Sequence, residues 1–158
     1  MAPANRQPVL GAIAELANSR DERKRRASAI ASLIRECGDH RWVGLYDVNE
    51  SDIAIISWSG PGPPAHPRFP RTDGLSGAAV TAGGSIVAND VANDPRYLEA
   101  FSETRAEMIV PVSVRSRVRG TIDVESDIPN RFLRDDRAFL EACARAATPL
   151  WLESPHLS

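Results

Sequence analysis

The sequence has few cysteines and no excess of either charge. Cys37 and Cys143 are the two cysteines among 158 residues, and neither has a second cysteine or a histidine at metal-ligand spacing beside it. The sequence therefore predicts no zinc site and a fold that needs neither metal nor disulfides. Nineteen basic and 21 acidic residues leave a formal charge of −2. A field this weak does not steer the protein to phosphate backbones or anionic lipid, so we expect no nucleic-acid or membrane partner.

Long hydrophobic runs are also missing. No stretch approaches the length of a membrane span, and the first 16 residues lack the basic start, unbroken apolar stretch and cleavage signal of a secretory peptide. We therefore expect a cytoplasmic protein. Hydrophobic residues make up 42% of the chain and charged residues 25%, which is ordinary for one globular domain of this length.

Apolar periodicity and turn residues predict the order of elements. Two helices, or one broken helix, open the chain, and a capping box of Ser19 and Glu22 precedes the second apolar run. Five prolines between residues 60 and 70 leave a loop or a proline-stiffened edge there. Short helical segments are predicted over residues 78–82 and at Asp94, and a long helix follows Asp135. Strands are predicted over residues 42–48, 53–58, 85–89, 107–115 and 118–126.

This order predicts a central antiparallel sheet. Consecutive strands are joined by tight turns, which gives an α/β protein of the α+β type. The long first and last helices are free to pack together on one face. The short central helices and the proline-rich segment cover the other face, and a cavity beneath such irregular cover is the expected ligand site.

Five strings in this order resemble those of a GAF domain. They are WVGLY at 42–46, GLSGAAV at 74–80, NDVANDPRY at 89–97, MIVPV at 108–112 and RGTIDV at 119–124. The resemblance covers about residues 27–152, which leaves residues 1–26 as an N-terminal helical segment and residues 153–158 as a C-terminal tail. It implies a GAF-like antiparallel sheet with helices on both sides, and a small-molecule site under loops on one face.

Among GAF proteins, the chain is similar to the stand-alone free methionine-(R)-sulfoxide reductases. In that subfamily, carboxylates on the last two strands and aromatic residues from the first strand hold the amino-acid ligand, while cysteines perform the redox step. The resemblance carries these ligand-binding positions over to Glu107, Asp123, Glu125, Trp42 and Tyr46.

The cysteines of that subfamily are not carried over. Their three positions correspond to His66, Ser76 and Ala100. Sulfoxide reduction needs one thiolate to attack sulfur and a second thiol to resolve the intermediate, which serine and histidine cannot replace. Cys37 and Cys143 belong to helices predicted on the sheet face away from the pocket, so we interpret them as buried, inert thiols.

The residues themselves also favour an acidic site on the last strand. Alternation places Asp123 and Glu125 on one face, which is either solvated or, if covered, in need of a partner such as an amine-bearing ligand. The place of Glu107 depends on the turn. A two-residue turn at 116–117 sets Met108 opposite Glu125, whereas a three-residue turn aligns Glu107 with that polar face.

Two further patterns complete the candidate site. Trp42 and Tyr46 share one face of the first strand with Gly44 between them, and either pack in the core or face a cavity. The start of the short helix offers backbone N–H groups suited to an anion, although most such turns are only helix starts. The candidates added by this helix start and by the string at 89–97 are Leu75, Ser76, Gly77, Ala78 and Asp90.

The leading hypothesis is a non-catalytic GAF sensor domain that binds a small polar metabolite, with a free amino acid or a derivative as the candidate ligand. It predicts no cofactor, no catalytic residue and no metal, and a signal passed to a separate output protein or to a second copy in a homodimer. One alternative is a methionine-(R)-sulfoxide reductase with atypical thiols. Another is a structural dimerisation module that uses the terminal helices.

Overall fold

The structure is a computed structural model, and it describes residues 6–152. The elements in chain order are α1 (Gln7–Ala17), α2 (Arg23–Gly38), β1 (Trp42–Val48), β2 (Asp52–Ser59), β3 (Arg68–Pro70), α3 (Gly74–Ala82), β4 (Ile86–Ala88), a 3-10 turn (Val91–Asn93), β5 (Ala106–Val114), β6 (Arg117–Ser126), α4 (Arg134–Ala147) and α5 (Pro149–Leu152). The expected C-terminal tail, residues 153–158, lies outside the described residues.

The strands form one six-stranded sheet in the order β3-β2-β1-β6-β5-β4, and every neighbouring pair is antiparallel. This confirms the predicted α+β fold. The proline-rich segment supplies β3, a three-residue edge strand in which Phe69 lies opposite Ile53. Proline is tolerated at such an edge because a residue there can lack a backbone donor.

The long helices lie on one face of the sheet, as expected. α1 packs against α2 and α4, α2 packs against β1 and β2, and α4 packs against β5. This face buries Ile13, Ile30 and Leu140 against Leu45 and Ile122. Burial of each such side chain stabilises the fold by about 1.5–3 kcal/mol.

The connection between α1 and α2 differs from the predicted capping box. α2 begins at Arg23, and no side chain caps its first turn. Instead, Arg26 is buried and donates hydrogen bonds of 2.8 Å to the carbonyl oxygens of Ala17 and Asp21. The guanidinium thus satisfies the backbone acceptors where the first helix ends.

The β5–β6 hairpin sets the register of the acidic residues. Its turn is Arg115-Ser116, both with positive φ (51° and 67°), so Val114 lies opposite Arg117. This places the turn one residue earlier than expected. An irregularity follows, because Ser113 pairs with Val118 but Val112 pairs with Gly120. The extra residue, Arg119, shifts the register by one.

Candidate functional site

The cavity lies between the sheet and a cover. The cover is formed by α3, the loop between β2 and β3, and the loop between the 3-10 turn and β5. The empty space within the cavity lining is about 410 Å³, part of it open to solvent. Three classes of side chain line it. They are the carboxylates Glu107, Asp123 and Glu125, the aromatic rings Trp42, Tyr46, Phe69 and Phe101, and, at the start of α3, Leu75 and Ser76.

The register shift at Arg119 brings the three carboxylates together. Glu107 on β5 lies directly opposite Glu125 on β6, and Asp123 is two residues before Glu125 on the same strand face. One oxygen of each carboxylate lies within 4.8 Å of the others. All three side chains are buried, with 6%, 7% and 2% exposure for Glu107, Asp123 and Glu125.

Burial controls the protonation of this triad. It raises the pKa of Glu107 and of Glu125 well above the usual value, and the neighbouring carboxylates raise both further. Burial raises the pKa of Asp123 to about 7, against the effect of its hydrogen bond with Glu107. These carboxyl groups therefore hold their protons to higher pH than ordinary carboxyl groups do when no cation compensates them.

Few protein groups compensate the triad. Thr104 Oγ1 donates to Glu125 Oε1 at 2.9 Å. Asp123 Oδ1 is buried and has no hydrogen-bond partner among the described residues. Within residues 6–152, no lysine, arginine or histidine forms a salt bridge with any of the three carboxylates. A buried acceptor without a donor is costly, so the site is incomplete as a purely protein structure.

Two glycines leave the space that the indole of Trp42 occupies. A Cβ built at Gly44 would come within 2.3 Å of Trp42 Cη2, and one at Gly60 within 2.4 Å of Trp42 Cδ1. Trp42 Nε1 donates to the Gly62 carbonyl oxygen at 3.0 Å. One side of the indole therefore covers the two glycines, and the ring also lines the cavity.

Three other rings enclose the cavity with Trp42. The Phe101 ring centroid lies 5.5 Å from that of Trp42, and the Phe69 centroid lies 5.9 Å from that of Tyr46. Phe69 and Phe101 were not among the sequence-predicted candidates. Phe69 lies in the proline-rich stretch, where the edge strand is too short to show alternation. Phe101 lies in a loop without periodicity, so no local signal marks it.

The start of α3 contributes part of the predicted anion site. Leu75 and Ser76 line the cavity. Gly77 and Ala78 do not, and the Gly77 N–H already donates to the Asp73 carbonyl oxygen at 2.9 Å. Asp90 is exposed and outside the cavity, where its Oδ2 accepts a hydrogen bond from Asn93 Nδ2 at 2.5 Å.

The thiols lie on the other side of the sheet. Cys37 is on α2 and Cys143 on α4, the helices that pack on the face away from the cavity. Cys143 is buried, and this burial raises its pKa to about 12. His66, Ser76 and Ala100, which the resemblance sets at the subfamily's cysteine positions, all line the cavity.

The sequence pattern of GAF domains matches residues 22–148. The chain belongs to the GAF domain family. GAF domains are a small-molecule-binding fold. In the described part of this GAF domain, residues 6–152, no helix is long and apolar enough to cross a bilayer.

Two curated relatives cover most of this GAF domain. It is 28% identical over 114 residues to Protein YtsP of Bacillus subtilis, covering 72% of this chain and 70% of the relative. It is 25% identical over 110 residues to the free methionine-R-sulfoxide reductase of Escherichia coli, covering 70% of this chain and 66% of that enzyme.

Solved structures give the same relationship. The free methionine-R-sulfoxide reductase of Neisseria meningitidis, in complex with its substrate, superposes with a TM-score of 0.87 at 25% identity, covering 99% of this chain and 93% of that one. The type II enzyme of Thermoplasma acidophilum has a TM-score of 0.79 at 27% identity, covering 89% and 96%. This GAF domain is thus related to the reductases in both sequence and structure.

Proposed function

We propose that this GAF domain is a non-catalytic binding module for a small, positively charged metabolite, such as an amine-bearing amino acid or a derivative of one. The observation that supports this is the triad of Glu107, Asp123 and Glu125, which is buried in one cavity and forms no salt bridge with a cationic side chain among the described residues. A bound cation would compensate carboxylates that otherwise hold protons or remain unpaired.

The rest of the cavity suits the other parts of such a ligand. The first backbone N–H groups of a helix have no partner within the helix and favour an anion, so the start of α3 near Leu75 and Ser76 would take a ligand carboxylate. The rings of Trp42 and Tyr46 would contact its apolar part. A ligand held at both charged ends and in the middle has a defined orientation.

The absence of thiols at the cavity supports binding without reduction. Ser76 and His66 cannot form and resolve a bond to sulfur in the way that two thiols do. Cys143 is buried behind the sheet with a raised pKa, and little of such a thiol is the reactive thiolate at neutral pH. A reductase with atypical thiols remains the second candidate. The reason is the similarity of the whole chain to the Neisseria reductase, whose structure was determined in complex with its substrate.

The sheet gives a route by which binding could be sensed. Tyr46 lines the cavity, and its carbonyl oxygen accepts a 3.0 Å hydrogen bond from Trp151 Nε1 on α5. A shift of β1 on ligand binding would therefore reach the terminal helices. The receiver would be a separate output protein or a second copy of the chain.

Thermal unfolding with a ligand panel tests the binding function. The panel contains free amino acids, their sulfoxides and simple amines, since a ligand that binds only the native state raises Tm. We expect a shift with an amine-bearing compound that disappears in Asp123→Asn and Glu125→Gln. Asp127→Asn changes an exposed residue just beyond β6. It is the matched control and should keep the ligand-induced rise in Tm. If no amine-bearing compound raises Tm, the proposal is wrong.

An activity assay tests the non-catalytic part separately. We expect no reduction of free methionine-R-sulfoxide with a thiol reductant. Turnover that disappears in Cys37→Ser or Cys143→Ser would establish the reductase instead.

A further inference from the structure

The lining of the cavity suits some kinds of cation better than others. Resting on the proposed function, we propose that the group bound by the carboxylate triad is a guanidinium, so that the ligand belongs to the guanidino compounds. The two observations behind this are the three clustered carboxylates, of which Asp123 Oδ1 is buried without a partner among the described residues, and the Trp42 indole that lines the cavity with them.

The acceptors favour a cation with many donors. Thr104 fills one oxygen of Glu125, and Asp123 Oδ1 is buried with no partner among the described residues. An ammonium group offers three donors from one point, whereas a guanidinium offers five in a planar fork that fits carboxylates in pairs. The triad oxygens lie within 4.8 Å of one another, so a fork of this kind would reach more than one carboxylate at once.

The indole is next to those acceptors. Across the β1–β6 pairing, Trp42 lies opposite Glu125 and Gly44 lies opposite Asp123. Because the indole is held over Gly44 and Gly60, an aromatic surface lies directly beside two of the three carboxylates. Aromatic faces attract cations, and tryptophan does so most strongly.

A guanidinium uses both features at the same time. Its N–H groups donate in the plane of the group, and its two faces remain free to stack on an aromatic ring. An ammonium has no flat face, and a quaternary ammonium has no N–H donors for Asp123. The combination of buried acceptors and an adjacent flat ring therefore selects the guanidinium.

Isothermal titration with three amino acids tests this selection. L-Arginine carries a side-chain guanidinium, L-citrulline carries a nearly isosteric neutral ureido group in its place, and L-lysine carries an ammonium there; all three share the α-ammonium. We expect L-arginine to bind at least about tenfold more tightly than either L-lysine or L-citrulline, and equal binding of L-citrulline would overturn the guanidinium assignment. Tighter binding of L-lysine than of L-arginine would overturn the guanidinium assignment and leave the proposed binding of an amine intact. Absence of binding by all three, together with no response to other amines, would remove both proposals.

Variants of the ring supply an independent readout. Trp42→Leu should reduce the preference for L-arginine over L-lysine to about twofold or less, because it removes the stacking surface. Trp42→Phe, which keeps a ring if the leucine variant does not fold, should retain part of the preference. Phe139→Leu on α4, which removes a ring on the opposite face of the sheet, is the control and should leave the preference unchanged. An unchanged preference in both Trp42 variants would overturn the proposal.

A metal ion is the remaining occupant that the triad could hold, since three carboxylate oxygens also suit a hard cation. Calcium chloride and magnesium chloride are therefore added alone in the same titration. Binding of either ion that excludes L-arginine would overturn the guanidinium assignment. Failure of both ions to bind, with L-arginine binding, supports it.

Discussion

Glu107 and Glu125 face each other directly across β5 and β6, at the wall of the cavity. If both were ionised, like charges opposite each other would destabilise the sheet, and Asp123 adds a third acid within reach of both. In the ligand-free fold, ionisation of these carboxyl groups is therefore unfavourable, and a bound cation would remove that cost. Stability given up at a site is commonly recovered when the ligand binds.

The first prediction concerns pH. The raised carboxyl pKa values mean that the folded protein binds more protons than the unfolded chain between the ordinary carboxyl pKa, about 4, and the raised values. The ligand-free protein should therefore lose stability as pH rises through this window. Urea unfolding at pH 6.5, 7.5 and 8.5 measures the slope.

His40 changes stability with pH in the opposite direction, and over a lower pH range. Burial lowers its pKa to about 4, so this residue costs stability as pH falls below about 6.5. Measurements above pH 6.5 therefore reduce the contribution of His40, while the buried Cys143, with its pKa raised to about 12, adds a loss in the same direction as the triad toward pH 8.5. Glu107→Gln should flatten the slope there, while Asp127→Asn should keep it, and an unaltered slope in Glu107→Gln would contradict the assignment of the triad.

The second prediction concerns the packing of the Trp42 indole against Gly44. Gly44→Ala places a methyl group 2.3 Å from Trp42 Cη2 and 3.0 Å from Tyr46 Cε2, so the rings must move. We expect a loss of about 1–3 kcal/mol in stability and at least a tenfold loss of ligand affinity. Gly84→Ala, where a Cβ meets nothing within 4 Å, should change neither. Retained affinity in Gly44→Ala would mean that the position of the indole does not matter for binding.

The antiparallel sheet, its covered faces and the shared face of Asp123 and Glu125 could be predicted from alternation and turns. The position of Glu107 could not, because two registers were open and Arg119 gives no local sign that it is an extra residue. Val118 shows the consequence. Simple alternation places it with Ile122, but beyond the irregularity it packs with the aromatic cluster on the cavity face.

The cover of the cavity was the least predictable part. Thr104 and Phe101 come from a loop whose contacts are with β1 and β6, far away in sequence. His66 Nε2 lies 3.0 Å from the Glu99 carbonyl oxygen. This contact joins the two loops that cover the cavity. Such contacts depend on the closed fold, and short-range patterns do not carry them.

The third prediction concerns Thr104. Thr104→Val removes the hydroxyl that donates to Glu125 Oε1 and leaves a buried carboxylate oxygen without that donor. We expect a loss of about 1–3 kcal/mol in stability, larger at pH 8.5 than at pH 6.5, because the charged carboxylate needs the donor most. Thr104→Ser keeps the hydroxyl and should restore most of the loss. Equal stability of the valine and serine variants at both pH values would show that the hydrogen bond contributes nothing.

The last prediction concerns the link from α5 to the sheet. A Cβ at Gly120 would lie 1.9 Å from Trp151 Nε1, so Gly120→Ala must displace a fully buried indole that donates to the Tyr46 carbonyl oxygen. We expect a destabilisation of about 1–3 kcal/mol. It should be seen as a fall in Tm of about 2–4 °C for each kcal/mol. Gly11→Ala in α1, where nothing lies within 4 Å, should instead stabilise by about 0.5–1 kcal/mol.

A double variant separates the clash from a general effect of the substitution. Trp151→Phe alone loses the indole hydrogen bond and leaves space above Gly120, which the methyl group of Gly120→Ala can then occupy. The double variant should therefore be more stable than the sum of the two single losses implies, with a coupling above about 0.5 kcal/mol. Strict additivity would mean that the two residues do not meet. Because Trp151 also holds the strand that carries Tyr46, the clash should weaken ligand binding in Gly120→Ala, as expected if the terminal helix and the cavity are connected through β1.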